Sequence, residues 1–275
     1  MRFRRLALAA MIAVAALVPV TAAPAAAMPA AAAVSRVMPV RAVTFNICGN
    51  VCRGGETAAT SANIAYRIYR LRATVALLQE VCYSQFLALQ ARLAPYGYRA
   101  TFARQAGGGQ CDNDDTKHGT AFGVAIVARG SFASRVIYRL PSPYRDASEG
   151  RVVLGATVVL PRRTVFVVTT HTTTRGPNLA AQLAALRHWL TPIAATSPVI
   201  FGGDLNSTPQ DSALNGFYTS FTEANRTRTR PLSTFIPVPR KIDYLFGSPG
   251  FLTPAGVARA DTGYSDHCMY LGVFR

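Results

Sequence analysis

Apolar residues along the chain fall into short runs of two periods, and the strand-like runs end on polar residues able to do chemistry. In Val199–Asn206, VIFGGDLN, the run VIF reads as a buried strand. Gly202-Gly203 ends it with a backbone that can turn sharply or approach a ligand closely. Asp204 and Asn206 are two apart and point the same way if the extended backbone persists. VRAVTFNI, over Val40–Ile47, exits on Asn46; TVALLQE exits on Glu80; the strand Thr164–Thr170 delivers His171. RKIDYLF embeds Asp243 in a strand, where an unpaired carboxylate would be costly. TGYSDHCMYLGVF puts Asp266 and His267 at the entrance to the final strand.

Helical spacing appears over Thr57–Arg72 (Ile64, Ile68, Leu71), Tyr83–Leu93 (Phe86, Leu87, Leu89, Leu93) and Asn178–Leu190 (Leu179, Leu183, Leu186, Leu190). A short helix is expected over Pro209–Leu214. His188, inside the third helix, reads as a surface or packing residue. Further strands are expected at Tyr98–Phe102, Ala121–Ala128, Arg135–Leu140 and Arg151–Leu160, the last joined to Thr164–Thr170 by a tight Pro161-Arg162-Arg163 turn. The glycine-rich, acidic stretch from Gln105 to His118 reads as an exposed loop; its Asp112, Asp114 and Asp115 lack the rest of a calcium loop and read as a solvated turn. Strand pairs alternating with helices favour two stacked sheets flanked by helices.

The amino terminus follows different rules. Arg2, Arg4 and Arg5 precede an apolar run from Leu6 to Val20 and small residues ending at Ala27, the pattern of a secretory signal peptide over 1–27. A retained membrane anchor is the weaker reading, because Pro19, Pro24 and the A-x-A site interrupt the run. Residues 28–36 then form a flexible leader and 37–275 one domain, expected to be secreted, without a stable membrane anchor or protein partner, as a monomer. Three of the 29 Lys and Arg lie in the first five residues, leaving 26 against 13 acidic residues, a mature charge of about +13. Such a balance favours a polyanion or an anionic surface over a merely solvated arginine-rich exterior.

Five cysteines suit an exported protein. Cys268, within the apolar run CMYLGVF, is expected as a buried thiol, while Cys48, Cys52, Cys82 and Cys111 flank loops. Four cysteines allow three pairings; Cys48 with Cys52 closes a short glycine-containing loop without a distant partner, which leaves Cys82 with Cys111. Metal binding by them is disfavoured by the absence of C-x-x-C.

Asn46, Glu80, His171, Asp204, Asn206, Asp243, Asp266 and His267, in this order and context, resemble the endonuclease/exonuclease/phosphatase superfamily, over Thr44–Phe274. GGDLN and SDH are the most specific pieces; TFN, LQE, TTH and KIDYLF add order rather than individual weight. The resemblance implies an α/β fold, a four-layer α/β/β/α sandwich of two mixed sheets, with a divalent-metal phosphoesterase site at one edge. It implies a magnesium site, with manganese or calcium as substitutes, at Asn46, Glu80 and Asp266, hard oxygen donors of the kind magnesium takes. It implies base duty shared by His267 and Asp204, with Asp243 orienting His267. Asn206 would bond a non-bridging phosphate oxygen, His171 would face the leaving oxygen, and Arg151 would bind phosphate. No carboxylate partner for His171 is evident, Asp146 and Glu149 being candidates only by proximity to Arg151. Val124 stands where many members place a substrate-touching asparagine or tyrosine.

Three functions compete: a secreted nuclease acting on DNA or RNA, a lipid phosphodiesterase of the sphingomyelinase kind, and a non-catalytic binding module. The basic charge favours the first. The second lacks an obvious aromatic insertion hairpin, the only Trp being Trp189 at a helix position. The third should have lost Glu80, Asp204 or His267, and all are present. N-terminal sequencing of exported protein should begin close to Met28; material still beginning at Met1 would refute the signal peptide.

Overall fold

The computed structural model describes residues 38–49, 51–55, 57–105, 111, 121–144, 150–174 and 176–275. The signal peptide, the leader, Asp112, Asp114, Asp115, Asp146 and Glu149 lie outside the described residues. The compact unit is Val37–Arg275.

The strands are β1 (Val40–Asn46), β2 (Val75–Cys82), β3 (Arg99–Arg104), β4 (Phe122–Ala128), β5 (Ser131–Arg139), β6 (Val152–Leu160), β7 (Arg163–His171), β8 (Val199–Asp204), β9 (Thr222–Glu223), β10 (Asp243–Gly247), β11 (Pro254–Asp261) and β12 (Cys268–Phe274). Helices α1 (Thr57–Arg70), α2 (Tyr83–Leu93), α3 (Pro177–Thr196) and α4 (Asn215–Ser220) cover the outer faces. The strands form two six-stranded sheets, ordered β11-β12-β1-β2-β4-β3 and β5-β6-β7-β8-β10-β9. Both are mixed: β1 runs parallel to β2 and β7 to β8, the other pairs being antiparallel. The expected α/β/β/α sandwich is the observed architecture.

Period-two alternation divides each strand between two cores. Ala42, Val75, Leu77 and Ile126 of the first sheet meet Leu154, Val167, Ile200 and Leu245 of the second in the central layer. Phe45, Leu78 and Ala125 turn outward against Ile64, Ile68, Phe86 and Leu89. On the far side Val168, Phe201 and Phe246 pack on Leu183, Leu186, Leu190 and Phe217.

Several expectations shift in detail. Leu87 is exposed, Leu71 falls just past α1, and α3 continues through Pro192 to Thr196 instead of stopping at Leu190. The short helix expected over 209–214 is a 3₁₀ turn at Ser212–Leu214 running into α4. Asp243 opens β10 rather than sitting inside it. The sequence also left β9 and β11 unmarked: β9 has two residues, and β11 is a largely exposed edge strand without a clean apolar alternation. Both disulfides, Cys48–Cys52 and Cys82–Cys111, and the buried thiol of Cys268 are as expected.

The glycine pair serves a different purpose from a turn. Both residues lie within β8, where a Cβ on Gly203 would come 1.9 Å from the Thr170 carbonyl oxygen and one on Gly202 2.3 Å from that of Tyr244. Gly203 also has φ of 147°, a conformation side chains disfavour. The pair lets β7 and β10 close on β8. Gly203→Ala should therefore lower stability by about 3 kcal/mol or more, the range of strain plus overpacking, whereas Gly97→Ala, with nothing within 4 Å of the new Cβ, should cost about 1 kcal/mol. Equal melting-temperature losses for the two variants would contradict this reading.

Candidate active site

The inward columns of the central layer change from apolar to polar at one end of the sandwich. Ala42, Thr44 and Asn46 share one side of β1, and Val165, Val167, Thr169 and His171 share one side of β7. His171 pairs with Asp204, and Asp204 pairs with Asp243, so three strands deliver polar groups on one rung.

Glu80 gets there by an irregularity. Simple alternation after the inward-facing Gln79 would point Glu80 at α1 and α2. Between Leu78 and Val81 the register against β4 shifts: three steps on β2 match two on β4. Glu80 absorbs the extra residue at φ of 55°, a left-handed backbone that a non-glycine residue adopts only when its surroundings enforce it. Gln79 fixes the bulge from inside, its Nε2 donating to Thr169 Oγ1 of the opposite sheet at 2.9 Å and to Leu77 O at 2.9 Å.

Asp204 is the meeting point. Its Oδ2 accepts from Asn46 Nδ2 at 3.1 Å and lies 3.5 Å from His171 Nε2 and 3.6 Å from His267 Nε2. Its Oδ1 accepts the Asn206 backbone N–H at 2.9 Å. That last bond corrects the expectation that Asp204 and Asn206 share a strand face. The strand ends at Asp204, Asn206 turns to φ of 47°, and its Nδ2 donates to Thr172 O at 3.0 Å.

The two histidines are backed by opposite charges. His267 Nδ1 is 2.8 Å from Asp243 Oδ2, the pairing expected from the sequence. Asp243 is held by its own N–H to Thr234 Oγ1 at 3.0 Å, and the Phe235 ring meets the His267 ring edge to face at 5.0 Å. His171 Nδ1 lies 2.8 Å from Arg151 Nη1. A guanidinium only donates, so Nδ1 accepts and Nε2 carries the hydrogen. Among the described residues an arginine therefore orients His171, where a carboxylate was sought; Glu80 Oε1 is farther from Nδ1, at 3.9 Å.

These surroundings separate the titrations. Burial would lower His267, but Asp243 and Asp204 outweigh it and lift its pKa to about 10. Burial, then the charges of Arg151 and His267, hold His171 well below the usual histidine value. Burial raises Asp204 to about 7 against the pull of His267.

Asn46, Glu80 and Asp266 also come together. Asn46 Nδ2 donates to Glu80 Oε1 at 2.9 Å, and Ser265 Oγ contacts both Asn46 O at 2.8 Å and Asp266 Oδ1 at 3.4 Å. Burial foremost, with the Asp266 charge adding to it, raises Glu80 above its ordinary range despite the Asn46 hydrogen bond. Two crowded carboxylates with a partly open approach fit a hydrated divalent cation, which would relieve their repulsion. Asp204, Asp243 and His267 are also close enough to ligate, but they are almost wholly buried and already bonded to one another, a poor host for an ion that keeps its waters. Cys48 and Cys52, which lie near Asp266, are spent in their disulfide.

A family model described as Endonuclease/Exonuclease/phosphatase family matches residues 43–267. The chain belongs to this family. Among solved structures, the human Nocturnin catalytic domain is similar at 20% identity and a TM-score of 0.70, covering 86% of this chain and 93% of that one. An endonuclease/exonuclease/phosphatase from Bacteroides vulgatus is similar at 17% identity and a TM-score of 0.69, covering 87% and 99%. A Bacteroides thetaiotaomicron mannosyl-6-phosphatase is similar at 14% and 0.64, covering 86% and 99%. No curated protein matches the chain.

In this endonuclease/exonuclease/phosphatase protein the sequence did not single out Lys241 and Glu223. Lys241 is buried with its Nζ 3.3 Å from Glu223 Oε1, 3.8 Å from the Tyr270 ring centroid and 4.8 Å from that of Tyr244. Tyr270 OH donates to Glu223 Oε1 at 2.8 Å. The signal was a lysine in an apolar run, two residues before Asp243. The Asp243 charge acts on Lys241, which links this buried pair to the site.

The raised His267 pKa has a definite sign. Its charge stabilises the fold fully below the unfolded value near 6.5, and that contribution falls as pH rises through about 10. In chelator-treated protein, the stability advantage of wild type over His267→Gln should be larger at pH 6 than at pH 10. A gap that widens with pH would reverse the assignment.

Proposed function

We propose that this chain is an exported, divalent-cation-dependent phosphodiesterase that hydrolyses nucleic acid. The observation that carries the reading is the asymmetric pair of imidazoles on Asp204, one backed by Asp243 and the other by Arg151. At neutral pH these surroundings hold His267 as the imidazolium and His171 as the neutral ring, with Asp204 titrating near 7 between them, so one site supplies both a proton donor and an acceptor.

In this reading Glu80 and Asp266, with Asn46 beside them, would hold a magnesium ion. When bound, the ion supplies charge stabilisation to a phosphoryl group. Every proton is handled by the chain itself. Water approaches His267 and Asp204 together: Asp204, its pKa lifted to about 7, takes the proton, while the His267 imidazolium, kept aimed by Asp243, steadies the ionised carboxylate instead of sharing base duty. His171, neutral with its hydrogen on Nε2, hydrogen-bonds the leaving oxygen and passes it the proton that Asp204, 3.5 Å from Nε2, took from water, and Arg151 fixes that tautomer while adding positive charge near the phosphate. Asn206, turned at the strand end beside Asp204, donates to a non-bridging oxygen.

A mature charge of about +13, from 26 basic residues after the signal peptide against 13 acidic ones, supports a polyanionic substrate. Trp189 does not offer itself for membrane insertion: it stacks on Tyr138 at 5.6 Å and packs near Phe166. No described helix is long and apolar enough to cross a membrane.

Purified mature protein should cleave DNA or RNA only with a divalent cation, and Glu80→Ala and His171→Ala should each lose ~10²-fold or more while remaining folded. Headgroup release from sphingomyelin vesicles without nucleic-acid cleavage would overturn the proposed substrate. Full turnover in excess chelator would overturn the cation.

A further inference from the structure

A second polar feature lies at one lateral edge of the sandwich, outside the chemistry just described. Strand β5 ends the second sheet and β3 ends the first. Arg135, Ile137 and Arg139 of β5 pair with Ala156, Leu154 and Val152, all in the central layer, so they face inward. They nonetheless remain exposed, because the opposing sheet gives out beside them. The result is a groove of about 460 Å³ with Arg135, Ile137 and Arg139 on one wall and Tyr83, Phe102, Arg104 and Ala121 on the other.

Its position relative to the catalytic groups follows from register. Val153 pairs with Thr170, so the next rung places Val152 level with His171; Val152 pairs with Arg139 on one side, and His171 pairs with Asp204 on the other. Arg139 is thus on the catalytic rung, three strands out from Asp204, or ~14 Å at the usual strand spacing. Leu140 N–H bonding Arg151 O at 2.9 Å ties this edge to the residue that orients His171. On the other wall, Tyr83 follows Glu80 by three residues.

We propose that this groove holds the nucleic-acid strand flanking the scissile phosphate, with phosphates on Arg135 and Arg139 and a base against the exposed ring of Tyr83. The inference rests on the nucleic-acid reading of the active site and extends it to a substrate longer than the bond that is cut. Concavity, arginines on both walls and an aromatic face match a chain that alternates anionic phosphates with flat bases. A membrane surface would instead call for a protruding apolar element. Arg135 already donates from Nη2 to Phe102 O, which bridges the two walls and presents its guanidinium along the groove.

The test compares wild type with the exposed charge-reversal double variant R135E/R139E, and separately with Tyr83→Ala. The substrates are bis(p-nitrophenyl) phosphate and a single-stranded oligonucleotide of about 20 nucleotides. Turnover of the small diester should stay within about twofold in both variants, which also reports that the site is intact. KM for the oligonucleotide should rise about tenfold or more in the double variant, with its salt slope reduced by roughly two units, and several-fold in Tyr83→Ala. If wild type cleaves the oligonucleotide and the double variant cleaves it equally well, the groove is not part of the substrate path while the nuclease reading stands. If wild type cleaves no nucleic acid, that reading fails and takes this one with it. Unchanged oligonucleotide KM together with lost binding to anionic vesicles would replace the strand with a lipid surface.

Discussion

The site depends on placing one carboxylate, that of Asp204, out of water at the junction of two sheets. Burial alone pushes this group toward its neutral form, so its ionisation rests on what surrounds it: the Asn46 amide, the Asn206 backbone N–H and His267. Asn46 and His267 reach it from the first sheet, while His171 and Asn206 reach it from the second. Catalytic geometry and sheet packing are therefore one constraint. Gln79, bonding Thr169 across the layers just beneath, holds the sheets at the spacing that the polar cluster needs.

Around this centre the fold sorts charge by small backbone departures from regularity. The bulge at Glu80 aims at the cluster a residue that alternation would misdirect, and the left-handed turn at Asn206 lays its backbone N–H on Asp204. Behind Asp243 the buried Lys241–Glu223 pair is covered by two tyrosine rings. Removing either partner alone would leave an uncompensated charge in the core, a far larger penalty than the pair's net contribution.

Much of this is legible in the sequence. Buried strands, two-residue alternation and polar residues at strand exits gave the layers and brought Asn46, Glu80, His171, Asp204, Asp243 and His267 within one neighbourhood, because strands that share a core end at a common edge. What stayed hidden depends on register and backbone sign. Periodicity places Glu80 on the wrong face, since a bulge leaves no mark in composition. It also treats Asn206 as an extension of β8. The partner of His171 was sought among carboxylates because such pairings are common; only the β6–β7 register shows Arg151 alongside it. The Gly202-Gly203 pair was read as a turn or ligand approach, and its real demand, close passage of neighbouring strands, is a tertiary fact.

If Asp204 is the shared centre, an isosteric change there should hurt chemistry more than structure. The most direct measurement is phosphodiester turnover by Asp204→Asn beside its folded-state stability, with NMR of the histidine rings. The account predicts a loss of ~10²-fold or more in turnover, the scale of removing a catalytic base or oriented charge, with Asp243 still bonded to His267 Nδ1 and the fold intact. Turnover within a few-fold of wild type, in a folded variant with unaltered histidine signals, would contradict it.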